Sequence, residues 1–429
     1  MPFNAPRGTS DILPGDQPLW DHVHRTAERV ARQFAYGRID TPLFETTELF
    51  ARGVGDETDI VQKEMYSFED HGGDSITLRP EGTAAVCRAY LEHGMSNLPQ
   101  PVRLFYNAPM FRYERPQAGR FRQFHQFGIE AIGDPSPQVD VEVIEMGWRF
   151  VRELGLSGVT LRINSIGDAS DRPRYVKDLK AYYEKHIDSL PKVARDRLER
   201  APLRLLDAKE PECQDLAHDA PKSLDYLSEE NARHWEEFLG LLDGLKLVYP
   251  DLNYTVDHRL VRGLDYYTRT VFEIEPEDAR GQSTLLAGGR YDGLMEKLGG
   301  PPTPGIGFAA GLERLILNVQ RQEVPVPGPP VLDIVTVHLG EAAQARAAQL
   351  AAALRLEGLS VVNAPAGRSM KAQMRYANQA SARFALIIGE REIERGVAAL
   401  KPLDGGEQVE VPLEASAIAA AVSGPASTS

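Results

Sequence analysis

Cysteine is scarce in this chain of 429 residues, which has only Cys87 and Cys213. The two form neither a CxxC pair nor a zinc-ligand spacing, and a secreted chain of this length would more often have a disulfide framework. The sequence also lacks a run of about 18 apolar residues that could span a membrane, and its first residues lack the basic and apolar regions of a secretory signal. We therefore expect a protein of the reducing cytoplasm that contacts no membrane.

Positively charged residues are also fewer than negatively charged ones. The chain has 62 acidic residues against 48 Lys and Arg, which gives a formal net charge of −14. This balance disfavours a protein that coats nucleic acid over its whole surface, although it is compatible with a local basic groove. A chain of this length that is 42% hydrophobic can build more than one core, so two or three domains are predicted.

Residues 1–325 alternate between helical and strand patterns. An amphipathic stripe predicts a helix over 17–36, with its apolar residues three or four apart at Leu19, Val23, Ala27, Val30 and Phe34. Further predicted helices and strand-rich segments cover 38–45, 76–80, 81–94, 139–154, 159–164, 260–275, 285–294 and 303–316. The mixture predicts an α/β domain.

The rest of the chain divides into an insertion and a second domain. A charged, mostly helical stretch over residues 170–250 is interpreted as an insertion into the first domain. Four prolines in VPVPGPP, residues 324–330, predict a stiff connector and a domain boundary. From 331 to 422, strand and helix patterns alternate as in a parallel βαβαβ unit. The small, polar last residues predict a frayed tail.

One segment, FRYERPQAGRFRQFHQFGIE at 111–130, combines the aromatic density of a strand with four arginines. Side chains alternate between the faces of a strand, so we sort this predicted hairpin, with its turn at 116–119, by parity. The odd face, expected to pack beneath helices, consists of Phe111, Tyr113, Phe121, Phe127 and Ile129. The even face, with a gap at Gly128, consists of Arg112, Glu114, Arg120, Arg122, Phe124, Gln126 and Glu130.

Two interpretations of the even face are open. It could be a solvated sheet surface whose charges pair across strands, which is the commoner case. An exposed face needs no aromatic among its charges, however, whereas Phe124 suits a flat ring stacked on a platform edged by phosphate-binding arginines. The pattern favours the floor of a site for an anionic ligand.

The same segment resembles motif 2 of the class II aminoacyl-tRNA synthetases. GIGFAAGLERL at 305–315 resembles motif 3, RIDTPLFE at 38–45 resembles motif 1, and LVRGLDYY and AGGRYDGL are similar to two signatures of the histidyl-tRNA synthetases. Gly305, Gly307 and Ala310 also fit a GxGxxA dinucleotide fingerprint, but PPTP rather than a first strand precedes them, so we reject that alternative. The resemblance implies an antiparallel catalytic sheet flanked by helices, a helical insertion and a C-terminal anticodon-binding α/β domain.

The resemblance also implies a reaction, in which ATP activates histidine as an adenylate and the histidyl group then passes to the 3′-terminal adenosine of its tRNA. The attacking carboxylate is already ionised, so the first step needs positioned cations rather than a protein base. Matched to the family's motifs, Arg112 would contact the α-phosphate, Arg120 the outer phosphates and Arg314 the γ-phosphate. Glu114 would accept from the adenine amino group while Phe124 stacks on the ring.

Arg262, in LVRGLDYY, would lie between the histidine carboxylate and the α-phosphate, which makes Arg112 and Arg262 the catalytic candidates. The alternative for Arg262 is a surface ion pair with the nearby Asp265. Magnesium is expected to bridge the ATP phosphates, and we expect no metal site made of protein side chains, because the ten histidines are scattered.

Histidine recognition needs partners for both imidazole nitrogens, since an analogue without them leaves buried polar groups unpaired. By the resemblance, Glu130 and Tyr267 would supply these partners, and Tyr291 would orient the ring or Glu130. The α-amino group would be held by Glu81, Thr83 and Gln126. Each tyrosine, considered alone, would more often be a core aromatic.

The predicted tRNA contacts lie in GRSMKAQMRYANQASAR, 367–383, which has no acidic residue. Its basic residues fall close to one side of a helix and are Arg368, Lys371, Arg375 and Arg383. A merely solvated helix is the alternative. The family also implies a homodimer, formed through motif 1.

Two rival functions remain to be weighed. A synthetase-like regulatory subunit of histidine biosynthesis, which binds histidine without catalysis, would have lost Arg262, the motif 2 arginines and the C-terminal domain. A class II enzyme for glycine, proline or threonine would lack LVRGLDYY and AGGRYDGL together. All of these features are present in the sequence.

Overall fold

The computed structural model describes residues 3–55, 58–117, 119–277 and 284–424. The chain divides between Pro327 and Gly328 into two compact units. Among the helices in the described ranges, none is long and apolar enough to cross a membrane.

The first unit contains an eight-stranded sheet and a three-stranded sheet. Its described strands are β1 (Gly37–Arg38), β2 (Phe44–Thr46), β3 (Tyr66–Glu69), β4 (Ser75–Leu78), β5 (Val102–Phe111), β6 (Gln123–Ile132), β7 (Val159–Ser165), β8 (Tyr254–Val256), β9 (Thr268–Pro276), β10 (Leu286–Arg290) and β11 (Gly305–Gly311). The large sheet has the order β1-β5-β6-β11-β10-β9-β7-β8. It is antiparallel except at its edges, where β1 lies parallel to β5 and β7 to β8. This confirms the expected antiparallel catalytic sheet.

Helices flank this sheet and form the insertion between β7 and β8. The described α-helices of the unit are α1 (Gln17–Gln33), α2 (Thr47–Val54), α3 (Thr83–Glu92), α4 (Pro137–Glu153), α5 (Arg172–Glu184), α6 (Lys192–Arg200), α7 (Pro211–His218), α8 (Glu229–Leu245), α9 (Leu294–Lys297) and α10 (Leu312–Arg321). From the insertion, α8 packs on α4 with Trp235 and Phe238 in the main core, whereas α5 to α7 pack with Tyr266 and Tyr267 on the other side of the sheet.

The parity prediction holds within β6 and fails for part of the segment before it. Phe127 and Ile129 are fully buried in the core that α1, α4 and α10 build beneath the sheet. Tyr113, predicted for the same face, is 53% exposed, so that assignment is wrong. The reason is that β5 ends at Phe111 and β6 begins at Gln123, and the loop between them does not follow strand alternation.

The second unit is a five-stranded sheet with helices. Its strands are β12 (Ile334–His338), β13 (Val361–Asn363), β14 (Phe384–Ile388), β15 (Val397–Pro402) and β16 (Val409–Pro412), and its described helices are α11 (Glu341–Leu356), α12 (Met370–Gln379), α13 (Glu390–Arg395) and α14 (Ala415–Ser423). The order is β13-β12-β14-β15-β16. The first three strands are parallel, as predicted, and β15 and β16 extend the sheet as an antiparallel hairpin that the sequence analysis missed.

Candidate active site

A cavity of about 620 Å³ opens on the side of the large sheet away from α1 and α4. The even residues of β6 reach it because β6 buries its odd residues beneath the sheet. Every residue predicted to bind ATP or histidine lines this one cavity: Glu81, Thr83, Arg112, Glu114, Arg120, Phe124, Gln126, Glu130, Arg262, Tyr267, Tyr291 and Arg314. The fold therefore brings together side chains from five separate segments of the chain.

The carboxyl of Glu130 lies in a buried part of the cavity and is 1% exposed. The Tyr291 hydroxyl donates to Glu130 Oε2 at 2.6 Å, and the Thr83 hydroxyl donates to Oε1 at 2.8 Å. Burial raises the pKa of Glu130 to about 8, because the charged form loses its hydration there. At neutral pH the free carboxyl therefore holds a proton in a preformed network of hydroxyl groups.

Glu81 lies beside this network and has a structural task as well. Its two carboxylate oxygens accept the backbone N–H groups of Thr83 at 2.7 Å and Ala84 at 2.8 Å. These are N–H groups of the first turn of α3, which have no partner within the helix. The carboxyl is 4% exposed, and burial raises its pKa. Glu81 thus fixes the start of α3 and, through it, the Thr83 hydroxyl.

Glycines make room for these side chains rather than for a ligand at the backbone. A Cβ on Gly128 would lie 2.1 Å from the ring of Tyr106, so Tyr106 fills the gap that was predicted at this position. A Cβ on Gly307 would lie 2.2 Å from Glu130 Oε2. Gly288 and Gly289 allow the neighbouring strands to come close, since their Cβ atoms would meet main-chain oxygens at 2.2 and 2.6 Å.

The other end of the cavity is charged and less buried. Arg120 Nη1 lies 3.0 Å from Glu114 Oε2, and Arg112 Nη1 lies 4.0 Å from Glu114 Oε1. The Arg112 guanidinium is 5.3 Å from the centroid of the Phe124 ring, and its Nε donates to the carbonyl of Pro80 at 2.8 Å. The arginines and the flat ring that the sequence predicted to share a platform do so, with Glu114 between the cations.

Arg314 and Arg262 are two further cations at this end. Arg314, in the first turn of α10, donates to the main-chain oxygens of Gly119 and Thr284, each at 3.2 Å. Arg262 forms an ion pair with Glu273 of β9, so the predicted alternative, a surface pair with Asp265, is wrong. The Arg262 guanidinium also lies 5.8 Å from the centroid of the Tyr267 ring.

Arg122 is the predicted even-face residue that the cavity does not include. Its guanidinium lies 3.9 Å from the centroid of the exposed Tyr113 ring, and its backbone N–H donates to the carbonyl of Gly8 at 2.7 Å. Arg122 precedes β6, where strand parity no longer decides which way a side chain points. It therefore fastens the loop to the N-terminal segment.

Several residues that line the cavity were missed. Glu273 of β9 could have been found by sorting that strand, because Phe272 and Ile274 alternate with it into the core. Tyr106 gave no signal, since its role depends on pairing opposite Gly128 across β5 and β6. The insertion residues Arg204, Asp207 and Lys209 also gave none, because nothing in that helical stretch indicates which loop faces the sheet.

In the second unit, α12 presents exposed side chains of Lys371 and Arg375 one turn apart, and Arg368 is exposed just before the helix. Arg383 differs from them. It forms an ion pair with Asp333 at 3.0 Å and donates to the carbonyl of Val422 at 3.3 Å. The predicted grouping of four cations on one helical side is therefore wrong for Arg383, which lies beyond the end of α12 and helps to hold the unit together.

Within the ranges that the structure describes, no group of three or more His, Cys, Asp or Glu side chains is placed to hold a metal ion. Both cysteines, Cys87 and Cys213, are buried free thiols.

Comparison with known proteins agrees with the geometry. Residues 8–315 match the family Histidyl-tRNA synthetase, and residues 333–418 match the family Anticodon binding domain. The histidine–tRNA ligases of Dehalococcoides mccartyi and Desulforamulus reducens are 50% and 49% identical, and each alignment covers 96% of this chain and 97% of the relative. The crystal structure of apo S. aureus histidyl-tRNA synthetase is 38% identical, with a TM-score of 0.80 and 98% of each chain covered. The chain belongs to the histidyl-tRNA synthetase family.

Proposed function

We propose that this chain is a histidine–tRNA ligase. The buried end of its cavity would bind histidine, and the charged end would bind ATP for the activation step. The observation that supports this most directly is a buried carboxyl and hydroxyl network, suited to an imidazole, that shares a cavity with four arginines suited to a triphosphate. Residues 1–325 would form the catalytic domain, 170–250 its insertion and 331–422 the anticodon-binding domain.

In the first reaction, a carboxylate oxygen of histidine attacks the α-phosphorus of ATP. A new P–O bond forms while the bond from that phosphorus to the bridging oxygen breaks, and pyrophosphate leaves with the electron pair. Arg112 would hold the α-phosphate, and Arg262 would lie between it and the attacking carboxylate. Each guanidinium offers a planar, permanently charged fork for these oxygens, which repel one another without it.

Arg262 has to exchange partners for this role. In the structure it pairs with Glu273, which lines the same cavity. The histidine carboxylate and the α-phosphate of ATP, once bound, would compete with the Glu273 carboxylate for the Arg262 guanidinium. Glu273 would thus hold Arg262 in place until substrates arrive.

Histidine selectivity would reside at the buried end. Glu130 and Tyr267 would pair with the two imidazole nitrogens, and Tyr291 would orient Glu130, as its 2.6 Å hydrogen bond supports. Thr83 also donates to Glu130, so the α-amino group would rest mainly on Glu81 and Gln126. A ring without these hydrogen-bonding atoms would leave buried polar groups unpaired, which is a large penalty.

The nucleotide would lie along the charged end. Phe124 would stack on adenine with Glu114 accepting from its amino group, and Arg120 and Arg314 would contact the outer phosphates. Magnesium would bind through the phosphate oxygens of ATP. Among the described residues, no cluster of three or more His, Cys, Asp or Glu side chains is placed to bind it directly.

The second reaction needs a tRNA and, in the family, a dimer. Arg368, Lys371 and Arg375 would meet the RNA backbone, since all three are exposed and none is close to an acidic residue in sequence. Exposed Phe44 and Phe68 on the small sheet would pack against a second copy of the chain. The two free thiols suit the reducing cytoplasm.

The regulatory alternative is disfavoured by the same residues. A subunit that only senses histidine would need the buried end, but not the cluster of Arg112, Arg120 and Arg314 at the other end. It would not need the anticodon-binding unit either.

An ATP–pyrophosphate exchange assay with each standard amino acid tests the proposal. We expect exchange with histidine alone, followed by histidine transfer to its tRNA. Equal exchange with proline would contradict the assigned substrate. Histidine binding without any exchange would support the regulatory alternative.

A further inference from the structure

One loop of the helical insertion lies over the charged end of the cavity. It joins α6 to α7, and the cavity is lined by Arg204, Asp207 and Lys209 from this loop together with residues of the sheet. Leu205 and Leu206 are buried in the same apolar cluster as Tyr266 and Tyr267, which follow Arg262 in the chain. Apolar packing therefore anchors the loop to the catalytic sheet.

Polar contacts fix the loop beside Arg262. Arg204 Nη1 lies 2.9 Å from Asp207 Oδ2. A Cβ on Gly263 would lie 3.3 Å from Arg204 Nη1, so this arginine rests on the segment that presents Arg262. Asp207 faces the cavity, and burial raises its pKa while Arg204 and Arg262 oppose that rise. Arg204 thus joins the middle of the loop to the segment that presents Arg262.

Lys209 is the second cation of this loop, after Arg204. Its side chain is exposed toward the cavity, and in the described part of the chain no ion pair forms to its ammonium. Arg314, on the opposite side, donates to two main-chain oxygens. Burial lowers the pKa of Lys209, and repulsion from Arg120 and Arg314 lowers it further. Three cations from three separate elements therefore face one another across the same space.

We propose that Lys209 binds the outer phosphates of ATP and the pyrophosphate product, so that the helical insertion takes part in the activation step. This rests on the proposed function. The negative charge of a phosphate group is spread over its non-bridging oxygens. A compact ammonium on a flexible side chain can pair with any of them. An anion at this point would relieve the repulsion among the three cations and strengthen the contact of the loop with the sheet.

The test compares Lys209→Ala, Lys209→Arg and the control Lys192→Ala, which removes an exposed lysine from α6 of the same insertion. Exchange kinetics give KM for ATP and for histidine separately, and calorimetry with inorganic pyrophosphate measures binding without turnover. For Lys209→Ala we expect KM for ATP and Kd for pyrophosphate to rise about tenfold, the usual loss for one hydrogen bond to a charged group. KM for histidine should change less than about twofold.

Lys209→Arg should recover part of the loss, and Lys192→Ala should match the parent. A Lys209→Ala enzyme with unchanged pyrophosphate affinity would overturn the proposal. So would an equal rise in both KM values, because that would indicate a disturbed cavity. A parent enzyme without histidine-dependent exchange would instead contradict the proposed function, so the two failures are distinguishable.

Discussion

The two ends of the cavity are built on opposite principles. At the buried end, Glu130, Tyr291 and Thr83 satisfy one another by hydrogen bonds, and Glu130 is 1% exposed. At the charged end, the side chain of Arg120 is 31% exposed and is paired with Glu114. The first end is complete before any ligand arrives, whereas at the second Arg120 and Arg262 are paired with carboxylates, with which a bound phosphate would compete.

This difference matches the two requirements of an enzyme that selects one amino acid and then activates it with ATP. Selectivity requires a rigid site in which a wrong ring leaves polar groups unpaired. Catalysis requires cations that become fully engaged only when charge develops on the phosphates. Four predictions test whether the two ends behave in these separate ways.

The largest effect should come from the charged end. Arg262→Ala should lower kcat for histidine-dependent exchange by about 10² to 10³, the range for removal of one group that stabilises transition-state charge. Arg25→Ala, at an exposed arginine paired with Asp21, is the control. Exchange kinetics with each variant measure the effect. A loss below about threefold would show that Arg262 only pairs with Glu273.

At the buried end, two tyrosines contact the same carboxyl at different distances. The Tyr291 hydroxyl lies 2.6 Å from Glu130, and the Tyr106 hydroxyl lies 3.5 Å from it. Tyr291→Phe should raise KM for histidine about tenfold, and Tyr106→Phe should raise it about twofold or less, because only the first bond is short. KM for ATP should not change. Equal effects of both variants would argue against a rigid network.

The proton on Glu130 makes stability depend on pH. Its pKa of about 8 lies above the value of an exposed carboxyl, so the native state retains a proton that the unfolded chain releases. This contribution is fully present below about pH 4.5 and is lost as pH rises toward 8. Its loss lowers the unfolding free energy of the parent by at most about 1.4 kcal/mol for each pH unit of rise.

Glu130→Gln removes the titratable carboxyl, so that no proton is released at this position when the chain unfolds. The stability of the variant relative to the parent should therefore increase between pH 6 and pH 7.5, as measured by urea unfolding without histidine. A difference that stays constant with pH would show that Glu130 is already ionised in the native protein.

Salt should give the smallest effect and should act on one end alone. Raising KCl from about 50 to 300 mM screens charges that are open to solvent, so KM for ATP should rise a few-fold. KM for histidine should stay within about twofold, because its site is buried. Equal sensitivity of both constants, measured by exchange at fixed pH, would remove the distinction between the two ends.

The sequence alone predicted much of this site because strand parity and local motifs act over short distances. The even residues Phe124, Gln126 and Glu130 reach the cavity as sorted. The prediction failed for Tyr113 and Arg122, where the chain leaves the strand and the twofold repeat no longer applies. In the second unit, the hairpin of β15 and β16 was missed although Asp404, Gly405 and Gly406 mark its turn.

What the sequence determined by itself is the inventory of groups: the arginines, the stacking ring, the buried carboxyl and the family to which their motifs belong. Only the tertiary structure decided which of these side chains contact one another. Tyr106 fills the space at Gly128, Glu273 holds Arg262, and Lys209 reaches the charged end from the insertion. These contacts join segments far apart in the chain, and no local periodicity encodes them, because packing of the whole core sets the distance between such segments.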